Sequence, residues 1–445
     1  MYANKLGLAI GLGAAMLAAP AARAQEAPVR LTLEQAIARG LEASHRLAGL
    51  GARVDASDAR VTGAEVADQP RVNFVTGYSR YNHIEPYGFT RPDGSQEIVF
   101  PDIPDNYRLR FDFSWPIYTW GRTDALERAA RAEAAATGGE LEAARADLGL
   151  EITRAFWSLV TARETVAVLD EALRAVDRHL TDVRNREAVG LVPPSDALSA
   201  EAQRAHEEVR LIDARNAADA VSADLARLVG LAPGTPVEID ASLTPAPVPA
   251  EPDPALVEEA RQARPDRDML ARRIDAAAAA REAASAGSRP QLLAGGGFDY
   301  NNPNMRHLPP RAEWRTSWDL GVTLAWTLWD AGRTGAQVAE AAAHERAARA
   351  QLQEFDTVLD VDVRQRRRDL AASLAAVTAA ETGVRAAREA HRVVTDRYRQ
   401  GVATSTEVLD AQVALVVAEL DRTRAVAGTR LAEARLNRAL GRTGN

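Results

Sequence analysis

Glu407 and Asp410 stand three residues apart, a spacing that puts two carboxylates on one face of a helix. Such a pair concentrates negative charge. Glu407 also ends the run Thr404-Ser405-Thr406-Glu407, a capping box with the glutamate at N3, so one member of the pair has a structural use as well. Asp196 holds the matching place in an earlier helix, where an acid favours the positive helix end, and the counterpart of Asp410 there is Ser199. Bond-making chemistry has no comparable signal. The seven histidines are scattered, with no metal-spaced pair on a helix. Gly295-Gly296-Gly297 falls in a strand rather than before a helix, so it reads as close packing and not as a phosphate loop. No catalytic set, cofactor or metal is expected, and the chain reads as a non-enzyme.

The elements that carry these acids are long. From Gly121 to Val189 there is no proline, and the stretch is rich in Ala, Leu, Glu and Arg. It ends at Gly190-Leu191-Val192-Pro193-Pro194, a strong breaker. The pattern recurs: Gly332 follows Gly121 by 211 residues, and Gly401 follows Gly190 by the same 211. Two helices, 121–189 and 332–400, are therefore expected, each about 100 Å long at about 1.5 Å per residue. Ile152, Leu159, Val166, Leu173 and Leu180 step by seven, and Ala155, Ala162, Leu169, Val176 and Val183 form a second seam, so these helices should supercoil against neighbours. Shorter helices follow each breaker, at 195–228 and 406–440. A further helix is predicted over 31–68, with Thr32 and Gln35 as its capping signal, and its counterpart over roughly 252–288.

Between the early helices and the long ones the hydrophobic period changes to two. Leu109, Phe111, Phe113, Trp115 and Ile117 share one face of 107–117; Trp318, Leu320, Val322, Leu324, Trp326 and Leu328 share one face of 316–328. Weaker alternation marks 71–82 and 291–302, and polar, proline-bearing loops at 83–106 and 303–313 join the pairs. The lengths and aromatic ends suit tilted transmembrane strands, although a soluble sheet with one buried face has the same pattern. Four strands cannot close a barrel, and an open edge in lipid strands backbone groups without partners. Two, three or four chains sharing one barrel would give about 8, 12 or 16 strands.

Residues 1–24 read as a secretory signal peptide. Lys5 supplies the positive start, Leu6 to Ala19 the apolar core, and Ala22-Arg23-Ala24 the cleavage site before Gln25. The chain has no cysteine, so it has neither disulfides nor a lipid-bearing cysteine at the cleavage site. A net charge of −8 argues against a general nucleic-acid binder. No later apolar run is long enough for a membrane-crossing helix. The organisation expected is a first repeat over 25–231, a proline-rich linker over 232–254, and a second repeat over 255–445.

With this order of elements and with the tip sequences Arg186-Glu187-Ala188-Val189-Gly190-Leu191-Val192, Arg397-Tyr398-Arg399-Gln400-Gly401-Val402 and Glu407-Val408-Leu409-Asp410-Ala411-Gln412, the chain resembles the TolC-like outer-membrane efflux and secretion ducts. The resemblance implies a mainly α protein with transmembrane β. Each chain would give long helices to a coiled-coil tunnel in the periplasm and four strands to a twelve-stranded β-barrel shared by a homotrimer in outer-membrane lipid. It implies a passive exit conduit that docks to a periplasmic membrane-fusion adaptor and, through it, to an inner-membrane pump of RND or ABC type. By distance from the tip glycines, the entrance positions are Asp196, Tyr398, Glu407 and Asp410. Threefold symmetry would make stacked acidic rings of Glu407 and Asp410, attracting cations and resisting tight closure. The basic partner often found two residues after the second tip glycine is Ala403 here. Gly190, Leu191, Val192, Gly401 and Val402 are either ordinary helix-hairpin endings or the adaptor contact. A structural or adhesive coiled-coil envelope protein is the competing reading.

Overall fold

The computed structural model describes residues 29–247 and 252–442. The expected signal peptide lies outside the described residues. The architecture is two helical hairpins of great length attached to one small antiparallel sheet. Strand β1 (Val29–Leu31) leads into α1 (Leu33–Ala43) and α2 (His45–Glu65). The strands β2 (Arg71–Arg80), β3 (Tyr87–Thr90), β4 (Gln96–Phe100) and β5 (Asp105–Tyr118) follow, then α3 (Arg122–Ala188) and α4 (Pro194–Leu228). Strand β6 (Val237–Ile239) precedes α5 (Asp253–Ala263), α6 (Pro265–Ser285), β7 (Gln291–Asn302), β8 (Arg315–Ala325), α7 (Arg333–Arg399) and α8 (Ser405–Leu440).

The long helices α3 and α7 are 67 residues each, about 100 Å at about 1.5 Å per residue. Their start is a sharp turn. Trp120 and Gly121, and again Ala331 and Gly332, have positive φ, so the glycine at each N-cap supplies a conformation side chains disfavour. Asp330 finishes the second turn, accepting from the Gly332 amide at 3.0 Å and the Thr334 amide at 2.7 Å. The Thr334 side chain first, and then the Thr334 and Gly332 amides, hold its carboxyl below the ordinary range. On α3 the first heptad seam buries Ile152, Leu159 and Leu180, and the second buries Ala155, Leu169, Val176 and Val183. Helices α2 and α4 lie along different stretches of α3. Arg46 and Arg53 of α2 reach Glu151 and Glu140, while Asp177 and Asp170 pair with Arg204 and Arg215 of α4.

The main core sits at mid-height, where Phe156, Ile152 and Leu159 of α3 meet Leu225 and Val229 near the end of α4, Ala36 of α1, and the parallel pair β1–β6. Fully burying one such side chain contributes about 1.5–3 kcal/mol.

Four expectations need correction. The helix predicted over 31–68 is broken. Ser44 is extended (ψ 109°) and ends α1, while its hydroxyl accepts the Leu47 amide to start α2. In the counterpart over 252–288, Arg264 is extended because it precedes Pro265, which disfavours the helical conformation before it. The loop expected over 83–106 contains the hairpin β3–β4, and β6 lies within the stretch expected as a linker, of which 248–251 are outside the described residues.

The sheet runs β2-β5-β7-β8, all antiparallel, leaving β2 and β8 as open edges. One face carries Val72, Phe74, Tyr78, Phe111, Phe298, Trp318, Leu320, Val322 and Leu324, every one exposed in the single chain. At the helix end of the sheet, Trp115 Nε1 donates to the Asp68 carbonyl at 2.8 Å and Trp326 Nε1 donates to the Ser288 carbonyl at 3.1 Å. Each indole thus satisfies a carbonyl where the preceding helical segment hands over to a strand. Among the described residues, no helix is long and apolar enough to cross a membrane.

Candidate functional site

The end of the molecule remote from the sheet is built by two glycine turns. Gly190 (φ 76°) and Gly401 (φ 77°) take the left-handed conformation. Gly190 and Leu191 donate back to Glu187 and Arg186 at 2.8 and 2.9 Å, and Gly401 and Val402 to Tyr398 and Arg397 at 3.0 and 3.0 Å. These paired bonds close the helix ends and require φ > 0 at the glycine. Beyond the turns, Pro193 and Pro194 start α4, and Thr404 starts α8. Leu191 and Val402 project into solvent, whereas Val192 packs inward against the tip cluster of Val183, Ala197, Tyr398 and Val408.

The four predicted entrance residues do not share one environment. Asp410 is exposed and, among the described residues, makes no ion pair. Glu407 is exposed too, but it completes the capping box. Its amide donates to Thr404 Oγ1 at 3.2 Å, and its Oε1 accepts from the Thr404 amide at 3.3 Å and from the Thr404 hydroxyl at 3.1 Å. Asp196 is half-buried in the first turn of α4. Tyr398 is only 3% exposed. Its ring is enclosed inside the chain, so it acts here as packing behind the tip rather than as a residue on an open face. Burial pushes its phenol above the ordinary value, and the nearby Arg186 opposes this. Its hydroxyl is buried with no hydrogen-bond partner among the described residues.

Three residues around Tyr398 escaped the sequence reading. His179 of α3 lies 5.3 Å from it, ring to ring, and its Nε2 is 2.9 Å from Ser405 Oγ on α8. Arg186 stacks over the ring and donates to the Tyr398 carbonyl at 3.4 Å. Burial pushes the His179 imidazole below its ordinary value, with Asp182 and Asp196 opposing and His391 and Arg186 reinforcing. No local signal marks these residues, because their partners lie in the other half of the sequence. Among the described residues no group of His, Asp and Glu is arranged to hold a metal ion.

A helical shaft about 100 Å tall, with a hairpin tip at one end and an antiparallel sheet with a bare apolar face at the other, is the build of an outer-membrane duct subunit. The profile of the family described as outer membrane efflux protein matches residues 20–231 and 256–442. The chain belongs to that family. It is 26% identical over 372 residues to the outer membrane protein TolC of Vibrio cholerae, covering 82% of this chain and 80% of the relative. Its fold is that of the outer membrane protein VceC from Vibrio cholerae, with a TM-score of 0.77 at 22% identity over 92% of this chain and 96% of that one. CusC has the same fold, with a TM-score of 0.78 at 15% identity over 92% of each chain. The protein is an outer-membrane efflux channel, of a family that works with periplasmic adaptors and inner-membrane pumps and whose members are channels rather than enzymes.

Proposed function

We propose that three copies of this chain assemble into one duct, with a shared twelve-stranded barrel in the outer membrane and a helical tunnel through the periplasm. The observation that carries this is the sheet: one face is apolar and uncovered, and both edges are open. In lipid the apolar face is solvated by acyl chains, and only a neighbour's edge strand satisfies the backbone groups of β2 and β8. In this reading the chain is exported by its signal peptide, residues 1–24, and its two repeats, 25–231 and 255–445, stand side by side around the tunnel with 232–254 linking them.

The tip is then the periplasmic entrance. Asp410 is the principal luminal acid, with Glu407 one turn before it and Asp196 on the neighbouring hairpin. Tyr398 contributes from behind, by fixing how α3, α7 and α8 meet. Gly190, Leu191, Val192, Gly401 and Val402 form the adaptor contact, supported by the exposure of Leu191 and Val402. Cargo passes without chemistry, driven by the pump beyond the adaptor. Cells lacking this chain should accumulate the pump's substrate, and the wild-type chain should restore efflux. A variant with Leu191→Asp and Val402→Asp should reach the outer membrane but fail to restore it. Full efflux by that variant would remove the tips from the adaptor contact.

A further inference from the structure

Arg110 is the hub of a network on the polar face of the sheet. Its Nη1 donates to Asp299 Oδ2 on β7 at 2.6 Å and to Asp319 Oδ1 on β8 at 3.2 Å, and its Nε donates to Asp112 on its own strand. Asp319 also accepts from Arg306 Nη2 at 3.0 Å. The guanidinium can reach three strands because Gly297, the register partner of both Asp112 and Asp319, has no side chain. A Cβ there would lie 2.4 Å from Arg110 Nη2. The network is held in place: the Arg110 side chain is 18% exposed and that of Asp299 is 8%. Each chain thus sets three carboxylates against two guanidiniums, leaving one net negative charge. Arg108, one polar-face position nearer the loops, is exposed and makes no ion pair among the described residues.

We propose that this network is an ion-selectivity belt in the barrel, separate from the acids of the periplasmic entrance. The inference rests on the shared-barrel reading, which turns the polar face toward the lumen. Twelve strands about 4.8 Å apart and tilted about 40° close at a backbone radius of about 12 Å. Side chains reaching inward then stand within about one Debye length of an ion on the axis at 0.1 M salt, near 10 Å. Rings of fixed charge at that distance sort permeating ions by sign. The salt bridges keep the belt from collapsing or swinging, and they leave a small residual charge that single substitutions can tip either way.

The test is the reversal potential of the full chain in planar bilayers under a potassium chloride gradient. Arg110→Gln makes each chain one charge more negative and should raise the cation-to-anion permeability ratio about twofold or more near 0.1 M salt, with the change fading toward 1 M. Asp319→Asn removes one negative charge and should shift the ratio the other way. Arg110→Lys keeps the charge and should stay near wild type while lowering the temperature at which the assembly dissociates. Opposite shifts are the signature, because a purely structural staple would move both neutral variants together. Should Arg110→Gln fail to assemble, Asp319→Asn decides alone. Channels whose ratio is unchanged, or moves the same way in both variants, overturn the belt and leave the shared barrel standing. A wild-type chain that inserts but never conducts overturns both.

Discussion

The guanidinium of Arg186 lies 4.6 Å from the centre of the Tyr398 ring, so the end of the first long helix is clasped to the end of the second. Around this contact the two hairpins share one tip, with the His179 ring 5.3 Å from that of Tyr398 and Val183, Ala197 and Val408 in the same buried cluster. A half-desolvated cation–π contact of this kind contributes about 1–2 kcal/mol. Arg186→Ala should therefore loosen the tip by about that amount, read as faster amide exchange in 180–190 and 394–408, with the sheet unaffected.

Tyr398→Phe should behave in the opposite sense. The hydroxyl is buried without a partner among the described residues, and an unsatisfied polar group of that kind costs about 1–3 kcal/mol. Its removal should leave the isolated chain equally or more stable in a denaturant melt. A loss of stability that appears only in the assembled protein would place a neighbour's group against that hydroxyl.

Acid should also loosen the tip. His179 has its folded-state pKa below the ordinary value of about 6.5, because burial disfavours the imidazolium. The unfolded tip then binds more protons, so stability rises with pH. The contribution is complete above about pH 6.5 and is lost as pH falls from there through the lower folded-state value. The groups facing His179 are Asp182 and Arg186 on its own helix, His391 and Tyr398 on α7, Asp196 on α4 and Ser405 on α8. His391, also shifted down by burial, acts in the same direction. The protection of the tip amides, after correction for the intrinsic exchange rate at each pH, should fall between about pH 7 and pH 5, and His179→Gln should flatten much of that dependence.

The two acids of α8 should separate by what each does. Asp410→Ala removes an exposed, unpaired carboxylate and should change stability by less than about 0.5 kcal/mol, while weakening block of the channel by multivalent cations added from the periplasmic side. Glu407→Ala breaks the capping box and should cost about 1 kcal/mol in a thermal melt. Unchanged block in Asp410→Ala would make it an outer-face aspartate.

The features legible in the sequence are those that repeat locally. Ile152 to Leu180 advertise their burial through a seven-residue step, and Phe111 and Trp318 their shared place on the apolar sheet face through alternation. The Gly121 and Gly332 turns, the tip glycines and the Thr404 capping box each follow from residue chemistry within a few positions. The break at Ser44 is harder to see, since a serine also tolerates mid-helix positions, and Leu47 gives no sign that it is donating to the serine hydroxyl. Pro265 gave a usable signal that the helical periodicity around it masks. What no local pattern contains is the meeting of distant residues. Arg110 and Asp112 read as polar-face positions, but their bridge through Gly297 to Asp299 and Asp319 depends on strand register. Likewise the surroundings of Tyr398 come from three helices, which is why a residue expected at an open entrance proves enclosed.

Whether strands from three chains close one barrel is read from the native mass of the protein extracted in mild detergent. A shared barrel gives a single species of three chains, stable without added partner, whose β2 and β8 amides are as protected from exchange as those of β5 and β7. A monomer that keeps its sheet in detergent, with β2 and β8 exchanging freely, would contradict it.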